Sequence, residues 1–385
     1  MSKQGLMNVV NISSLDIPEL LGLYRQGNKV LSLMGPPGCG KTEGVREGAR
    51  RQAKKMGLTY VECPTPDDWR NPKNFCLSVV LTSQIEEIDA RGLPHVVEVD
   101  GKQMTVFTIT ELFPVVGIGI IFLDEFPNGR TQVQTAMQPM LLNHIAGGYH
   151  ISDGIQFVVA GNRPQDNCGT FYIPYALRNR LQWYEVQRPK TEDLIQKMQD
   201  IGKPLHPKLI GWVLSVGSKY VDNFDPKAEQ YAYATPRSLE MASDMLTVVD
   251  KEHGTNHKMY TRVVGAAMGE NAGLDFVTFL KLSDAVDINK LLDSPDMIKR
   301  YANGDPGLLY SICVNLSERS LDEKQVVKVF KVMEALDRKE FGVFIVHSMI
   351  RGLGNAKTVL YLQKPELKNV VNSYLTLVKA VNSAD

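Results

Sequence analysis

The chain has 385 residues, more than a single hydrophobic core of ordinary size holds, so two or three domains are expected. Apolar residues make up 43% and charged residues 22%, which excludes a disordered chain and indicates a globular protein. Lys plus Arg and Asp plus Glu both number 43, so the net charge is zero and gives no overall argument for binding nucleic acid or a membrane surface.

The compartment is suggested by the cysteines and the N-terminal sequence. The five cysteines are an odd, scattered set, which argues against a disulfide framework and fits a reducing compartment. The first residues, MSKQGLMNVVNISSLD, lack the charged-then-apolar layout of a signal peptide. No apolar run approaches the ~18 residues of a membrane span. A cytoplasmic protein without membrane contact is therefore expected.

The first strong local pattern is a short apolar run, Val30–Met34, followed by GPPGCGKT and a helix-prone charged segment. Strand, glycine-rich turn and helix in this order are the context of a phosphate-binding loop, and Gly-x-x-x-x-Gly-Lys-Thr matches it in full. The glycines allow backbone N–H groups to face phosphate oxygens. The predicted nucleotide-binding residues are Gly35, Pro36, Pro37, Gly38, Cys39, Gly40, Lys41 and Thr42. Lys41 would reach the β- and γ-phosphates, and the Thr42 hydroxyl would ligate Mg²⁺.

A second strand is predicted at Leu58–Cys63, after which residues 77–113 interrupt the alternation of strands and helices. This segment contains VVEVDGKQMTVF, in which apolar residues alternate around Asp100 and Gly101. An Asp-Gly pair between alternating apolar residues is a strong hairpin signal. We expect residues 77–113 to be an insertion on the α/β core rather than another strand of its sheet.

A buried strand predicted at Gly119–Leu123 ends in two acids, Asp124 and Glu125. Two solvated acids at a strand end are common, but the P-loop requires a carboxylate on a neighbouring strand. Asp124 would hold Mg²⁺ through water, and Glu125 would polarise the water that attacks the γ-phosphate.

The next buried strand, Gln156–Ala160, leads to Asn162, which could lie beside Glu125 and orient the attacking water. Alternatively, Asn162 only starts the turn before an Arg-Pro pair. A last strand is predicted at Trp183–Val186. Strands separated by helices predict a mostly parallel sheet.

Strand patterns are absent after about residue 190, and apolar residues recur at helical spacing instead. Helices are predicted at Thr191–Ile201, Pro207–Tyr220, Arg237–Asp250 and Glu323–Leu336. This half of the chain is expected to be all-helical.

The segments GPPGCGKT, IIFLDEF and FVVAGN resemble Walker A, Walker B and sensor 1 of AAA+ ATPases, and the run from LDEF to AGNRP resembles the MoxR group. The resemblance implies an AAA+ αβα P-loop core with a parallel sheet at residues 1–188, a helical lid at 189–265 and an all-helical C-terminal module at 266–385.

Two arginine sites follow from the same resemblance. IPYALRNRL is similar to the family segment ending in Asp-Arg-Phe, from which an arginine finger enters the next subunit's site. Asn179 and Leu181 replace the Asp and Phe, so the match is partial. Arg180 occupies the position expected for the finger, and the nearby Arg178 is the alternative. ATPRSLEMA is similar to sensor 2, in which Arg237 would contact the γ-phosphate. An arginine near a helix end also often pairs only with the helix dipole or a surface carboxylate.

The resemblance implies Mg²⁺-dependent ATP hydrolysis by a homo-oligomeric ring, since the finger comes from a neighbour. The family resemblance also implies that this ring is a hexamer. The C-terminal part, from VVGAAMGENAGLDF onward, looks like MoxR-type ATPases found beside von Willebrand factor A-type partners, which implies chaperone-like remodelling of a protein partner. A nucleic-acid motor or loader remains an alternative, disfavoured by the neutral charge and the lack of a recognisable DNA-binding module. The third hypothesis is a nucleotide-gated assembly scaffold with very slow ATP turnover.

Overall fold

A computed structural model describes residues 9–166, 168–200, 203–221, 223–228, 230–302, 304–336 and 338–367. The chain divides into two compact units, Met1–Pro189 and Lys190–Asp385. None of the helices in the described ranges combines the length and the apolar character needed to cross a bilayer.

The first unit is built on a seven-stranded sheet in which all neighbouring strands are parallel, in the order β1-β11-β2-β10-β7-β4-β3. Two antiparallel hairpins, β5-β6 and β8-β9, lie outside it. The strands are β1 (Val10–Ser13), β2 (Leu31–Met34), β3 (Thr59–Glu62), β4 (Asn74–Leu81), β5 (Pro94–Val99), β6 (Lys102–Phe107), β7 (Gly119–Asp124), β8 (Ile145–Ala146), β9 (Tyr149–His150), β10 (Ile155–Gly161) and β11 (Gln182–Gln187).

Helices cover both faces of this sheet. Along β7, Ile120 and Phe122 pack in one apolar cluster, whereas Ile121 and Leu123 pack in another, as the two-residue period of a strand requires. A strand covered on both faces needs a continuous apolar run, which is why GIIFL has no polar residue. The helices of this unit are α1 (Ile17–Gln26), α2 (Lys41–Met56), α3 (Pro66–Arg70), α4 (Glu87–Arg91), α5 (Thr131–Ala136), α6 (Gln138–Asn143) and α7 (Tyr175–Arg178). The predicted αβα core with a parallel sheet is confirmed.

The prediction that residues 77–113 as a whole lie outside the sheet is wrong. Strand β4 includes Leu77–Leu81, which pairs in parallel with Ile120–Asp124 of β7. This run is largely apolar because it belongs to an inner strand of the sheet. Its apolar residues do not distinguish it from part of an insertion when only the sequence is considered. The hairpin itself is confirmed, since Val99 pairs with Lys102 around a two-residue turn. Asp100 (φ 51°) and Gly101 (φ 71°) are both left-handed, as the favoured hairpin turn requires.

Helices are the regular secondary structure of the second unit's described residues, as predicted. One continuous apolar cluster extends from Leu194 to Leu367. The helices are α8 (Thr191–Asp200), α9 (Pro207–Val216), α10 (Pro236–His253), α11 (His257–Met268), α12 (Glu270–Leu282), α13 (Ile288–Asp293), α14 (Pro306–Arg319), α15 (Val326–Leu336), α16 (Lys339–Leu353) and α17 (Asn355–Leu362). The division into a lid and a C-terminal module stays a prediction; its expected boundary at 265/266 lies inside α11.

A charged cluster crosses the core of the second unit. The buried Lys208 ammonium lies 3.1 Å from Asp250 Oδ2 and 2.5 Å from Glu318 Oε1. His206 accepts the Lys208 N–H at Nδ1, so its Nε2 carries the proton donated to Asp250 at 3.0 Å, and the Tyr260 hydroxyl donates to the other Asp250 oxygen. Burial alone would raise the pKa of Asp250, but the hydrogen bonds from His206 and Tyr260 and the charge of Lys208 hold this pKa well below its usual range. The cluster therefore ties α9, α10, α11 and α14 together.

We expect Asp250→Asn to lower the free energy of unfolding by about 2 kcal/mol at neutral pH, because it removes a hydrogen-bonded charge. A carboxyl whose pKa is lower in the folded chain stabilises the fold above its unfolded pKa of about 4, and this stabilisation is lost as the pH falls. The difference in free energy of unfolding between wild type and Asp250→Asn should therefore become smaller as the pH falls below about 4. Urea unfolding at a series of pH values from neutral to acidic measures it. Asp244→Asn, at an exposed position of the same helix, is the matched control, and equal effects of the two would contradict the prediction.

Candidate functional site

The P-loop lies between β2 and α2 at the carboxyl edge of the sheet. Gly38 (φ 74°) and Gly40 (φ 95°) adopt left-handed backbone conformations that a side chain would strain. The first loop residue, Gly35, is wedged between the strands on either side of β2. Its N–H donates to the Gly161 carbonyl at 3.1 Å, and a Cβ added to it would lie 2.6 Å from the Val186 carbonyl oxygen. The loop conformation therefore depends on glycine at these positions.

Lys41 points back into this loop, and only 8% of the residue is exposed. Its ammonium donates to the carbonyl oxygens of Gly35 (2.9 Å) and Pro36 (3.1 Å) and lies 3.3 Å from Asn162 Oδ1. Within the described ranges, no carboxylate forms an ion pair with it. A buried cation surrounded by uncharged acceptors is a position that favours an anionic ligand.

Thr42 and Asp124 meet at the same edge. The Thr42 hydroxyl donates to Asp124 Oδ2 at 2.8 Å, and Asp124 Oδ1 accepts the Glu125 N–H at 2.9 Å. A hydroxyl and a carboxylate are the hard oxygen ligands that Mg²⁺ prefers, with water and substrate completing its coordination. These two residues therefore fit a magnesium ion bound together with a phosphate ligand.

Glu125 has a strained backbone and a partner that the sequence analysis missed. Its φ of 53° lies in the left-handed region, which is rare for a residue other than glycine, asparagine or aspartate. Its carboxylate accepts a hydrogen bond of 2.6 Å from the Ser83 hydroxyl. Ser83 lies two residues after the end of β4, and β4 is the neighbour of β7 in the sheet. Two polar residues, Thr82 and Ser83, follow LSVVL directly. Assigning LSVVL to the sheet would have made both of them candidates for the site.

Asn162 follows β10, whose neighbours in the sheet are β2 and β7. Its side-chain oxygen contacts the Lys41 ammonium, and no hydrogen bond between Asn162 and Glu125 is present among the described residues. The structure thus brings Asn162 into the site on the side of the lysine. Its position relative to an attacking water stays a prediction.

The two arginine candidates of the first unit differ in their surroundings. The Arg178 guanidinium stacks over Tyr172 (4.2 Å to the ring centroid) and Tyr175 (5.3 Å), a pair of cation–π contacts. The Arg180 side chain is exposed and has no hydrogen bond or ion pair in the part of the chain that is described. The Arg180 side chain is therefore less engaged within its own chain than the Arg178 side chain. Arg237 belongs to the second unit, one residue after the proline that begins α10.

No protein-family model matches the sequence, and no curated protein matches it. Among solved structures, the chain is similar to NtrX from Brucella abortus in complex with ADP, with 14% identity over 88% of this chain and 68% of that chain and a TM-score of 0.38. It is also similar to a mutant of RuvB from Thermotoga maritima (15% identity, 77% of each chain, TM-score 0.28). PCH-2 from C. elegans is 13% identical over 71% of this chain and 69% of that chain, with a TM-score of 0.28. Similarities this low do not assign the chain to a family.

The strain at Glu125 leads to a stability prediction. Glu125→Asn should be more stable than Glu125→Gln by about 0.5–1 kcal/mol, because asparagine tolerates the left-handed region that glutamine strains to adopt. Both variants remove the carboxylate, and each is also made with Ser83→Ala, which removes the hydrogen bond that only the longer glutamine side chain can accept; the remaining difference reports the backbone. Urea unfolding of the two proteins measures the difference, and equal stabilities would show that the backbone is not strained at this position.

Proposed function

We propose that this protein binds ATP at the P-loop and hydrolyses it. The observation that carries the proposal is the convergence, at one edge of the sheet, of the Lys41 ammonium, the Thr42–Asp124 pair and the Glu125 carboxylate. A cation for the phosphates, oxygen ligands for a metal and a carboxylate for water are the parts that phosphoryl transfer requires.

Binding would begin with the polyphosphate of ATP entering the loop. The N–H groups of residues 35–42 and the N-terminal end of α2 stabilise the phosphate oxygens. The Lys41 ammonium would then donate to phosphate oxygens in place of the carbonyl oxygens of Gly35 and Pro36. Its hydrogen bonds are replaced rather than lost, so the ammonium can stay buried.

Hydrolysis then depends on the acids at the end of β7 and on the amide that follows β10. Thr42 and Asp124 would hold Mg²⁺, which when bound neutralises charge on the phosphates. Glu125 would polarise the attacking water, and for that its carboxylate must exchange the Ser83 hydroxyl for the water. Asn162 would help to orient that water or the γ-phosphate.

The arginines would complete the site and make it depend on assembly. We assign the finger role to Arg180, which is exposed, and keep Arg178 as the alternative. A finger supplied by a neighbour implies a homo-oligomeric ring, and a hexamer follows from the resemblance to AAA+ proteins. Arg237 is assigned the role of sensor 2, in contact with the γ-phosphate. Such cations stabilise the charge that develops in the transition state.

The work coupled to hydrolysis is proposed to be remodelling of a protein partner, with a von Willebrand factor A-type protein as the first candidate. The neutral net charge supports a protein partner over a nucleic acid. A pull-down followed by an ATPase assay with the recovered protein tests this role. Hydrolysis stimulated by DNA, with a steep salt dependence, would favour a nucleic-acid motor instead. Near-zero turnover in both wild type and Glu125→Gln would favour a scaffold.

Two variants separate binding from turnover. Lys41→Ala should weaken ATP binding by about 100-fold, because it removes a charge-assisted hydrogen bond to the phosphates. Glu125→Gln should bind ATP normally and lower kcat by about 10²- to 10⁴-fold, because the general base is lost. Lys55→Ala, an exposed lysine of the same helix, serves as the control. Titration with a fluorescent ATP analogue and a phosphate-release assay measure the two effects, and unchanged binding by Lys41→Ala would refute the proposed site.

The arginine assignment can be tested by mixing variants. Arg180→Ala should bind ATP but lose turnover, since its finger would be missing from the neighbour's site. Mixing it with Lys41→Ala should restore part of the activity, because some mixed interfaces then combine an intact P-loop with an intact finger. Phosphate release from a titrated mixture measures the recovery. If this mixture stays inactive while the equivalent mixture with Arg178→Ala recovers, Arg178 is the finger.

A further inference from the structure

A buried ion cluster lies beside the base of the P-loop and has no role in the scheme above. Arg163 follows Asn162, and only 11% of its side chain is exposed; the side chains of its partners Asp166 and Glu185 are 2% and 1% exposed. The guanidinium donates to Asp166 through Nε (3.0 Å to Oδ2) and Nη2 (2.7 Å to Oδ1), and through Nη1 to Glu185 Oε1 at 2.6 Å. Three charged groups are thus withdrawn from water together.

The ion pair between Arg163 and Glu185 spans the strand that carries the P-loop. In the sheet, β2 lies between β10 and β11, so the ends of these two strands are roughly 10 Å apart. Arg163 comes two residues after the end of β10, and Glu185 lies in β11 opposite Met34, the last residue of β2. The pair therefore connects the two strands between which Gly35 is wedged.

The same arginine fixes the turn that follows Asn162. The Arg163 N–H donates to Asp166 Oδ2 at 3.0 Å, and the Asp166 N–H donates to the Arg163 carbonyl at 3.0 Å. Together with the three side-chain hydrogen bonds to Asp166, these contacts hold the backbone next to Asn162. The Asn162 side chain is thereby kept against the Lys41 ammonium.

The Arg163 guanidinium stays charged in this cluster. Burial would lower the pKa of the Arg163 guanidinium, but Asp166 and Glu185 outweigh it and raise this pKa above its ordinary value. A buried ion pair contributes little net stability compared with apolar residues of the same shape, whereas its directional hydrogen bonds define a geometry. The natural use of such a cluster is to position neighbouring groups.

We propose that Arg163 is a positioning residue for hydrolysis: it joins β10 to β11 across the P-loop strand and keeps Asn162 and the loop base at a constant separation during turnover. This inference rests on the proposed ATPase function. Arg163 lies outside the P-loop and acts through the adjacent Asn162. Its loss should therefore lower kcat while ATP binding, which depends on the loop itself, is maintained.

The test compares three variants with wild type. Arg163→Lys keeps the charge and loses the guanidinium fork, Arg163→Met removes both, and the triple variant Arg163→Met, Asp166→Asn, Glu185→Gln removes every charge of the cluster. Steady-state hydrolysis gives kcat and KM, and titration with a fluorescent ATP analogue gives Kd, each at a temperature where the variant is folded. The control is Arg51→Met, which breaks an exposed pair with Glu47 on α2.

Arg163→Lys should lower kcat by about 10-fold or more, with Kd within about threefold of wild type, since small displacements in an active site have effects of this size. If Arg163→Met alone fails to fold because two buried carboxylates lose the guanidinium between them, the triple variant decides. The triple variant should be folded and bind ATP, and its kcat should stay below that of wild type.

A triple variant with wild-type kcat would overturn the inference, as would an unchanged kcat in Arg163→Lys or a loss explained wholly by Kd. A wild-type protein that binds ATP without hydrolysing it would overturn the proposed ATPase activity and this inference together. Hydrolysis by wild type with no effect of Arg163→Lys would overturn the inference alone.

Discussion

The candidate site depends on one buried cation. The Lys41 ammonium lies inside the P-loop and contacts the loop carbonyl oxygens, the Cys39 sulfur and the Asn162 amide oxygen. A buried ammonium is costly unless polar groups surround it, so the loop must hold its carbonyl groups in place, and the left-handed Gly38 and Gly40 allow it to do so. The wedging of Gly35 between two strands then transfers the rigidity of the sheet to the loop.

The acids of the site are held by hydroxyl groups rather than by cations. Asp124 accepts from Thr42, and Glu125 accepts from Ser83. Neither carboxylate has an ion-pair partner in the described part of the chain, so their negative charge is available to a metal ion and to water. The paired charges of Arg163, Asp166 and Glu185, in contrast, are buried together beside the loop. The first unit thus keeps the acids of the candidate site apart from this ion-paired cluster.

Much of this arrangement was predictable from local patterns. The P-loop, the acids after GIIFL and the hairpin turn at Asp100 and Gly101 were all recognised because each is contiguous in the chain. The boundary of the insertion was placed wrongly, because an inner strand of a parallel sheet and an apolar stretch of an insertion look alike without the pairing to β7. That error also concealed Ser83.

By itself, the sequence determined the candidate groups of the site: a lysine, a threonine and two acids whose types and spacing suit phosphate and magnesium. The tertiary structure decided which of them meet and what holds them. The Ser83–Glu125 hydrogen bond and the Arg163–Glu185 ion pair join residues 42 and 22 positions apart. Such contacts depend on strand order in the sheet, and strand order follows from the packing of whole elements rather than from any local pattern.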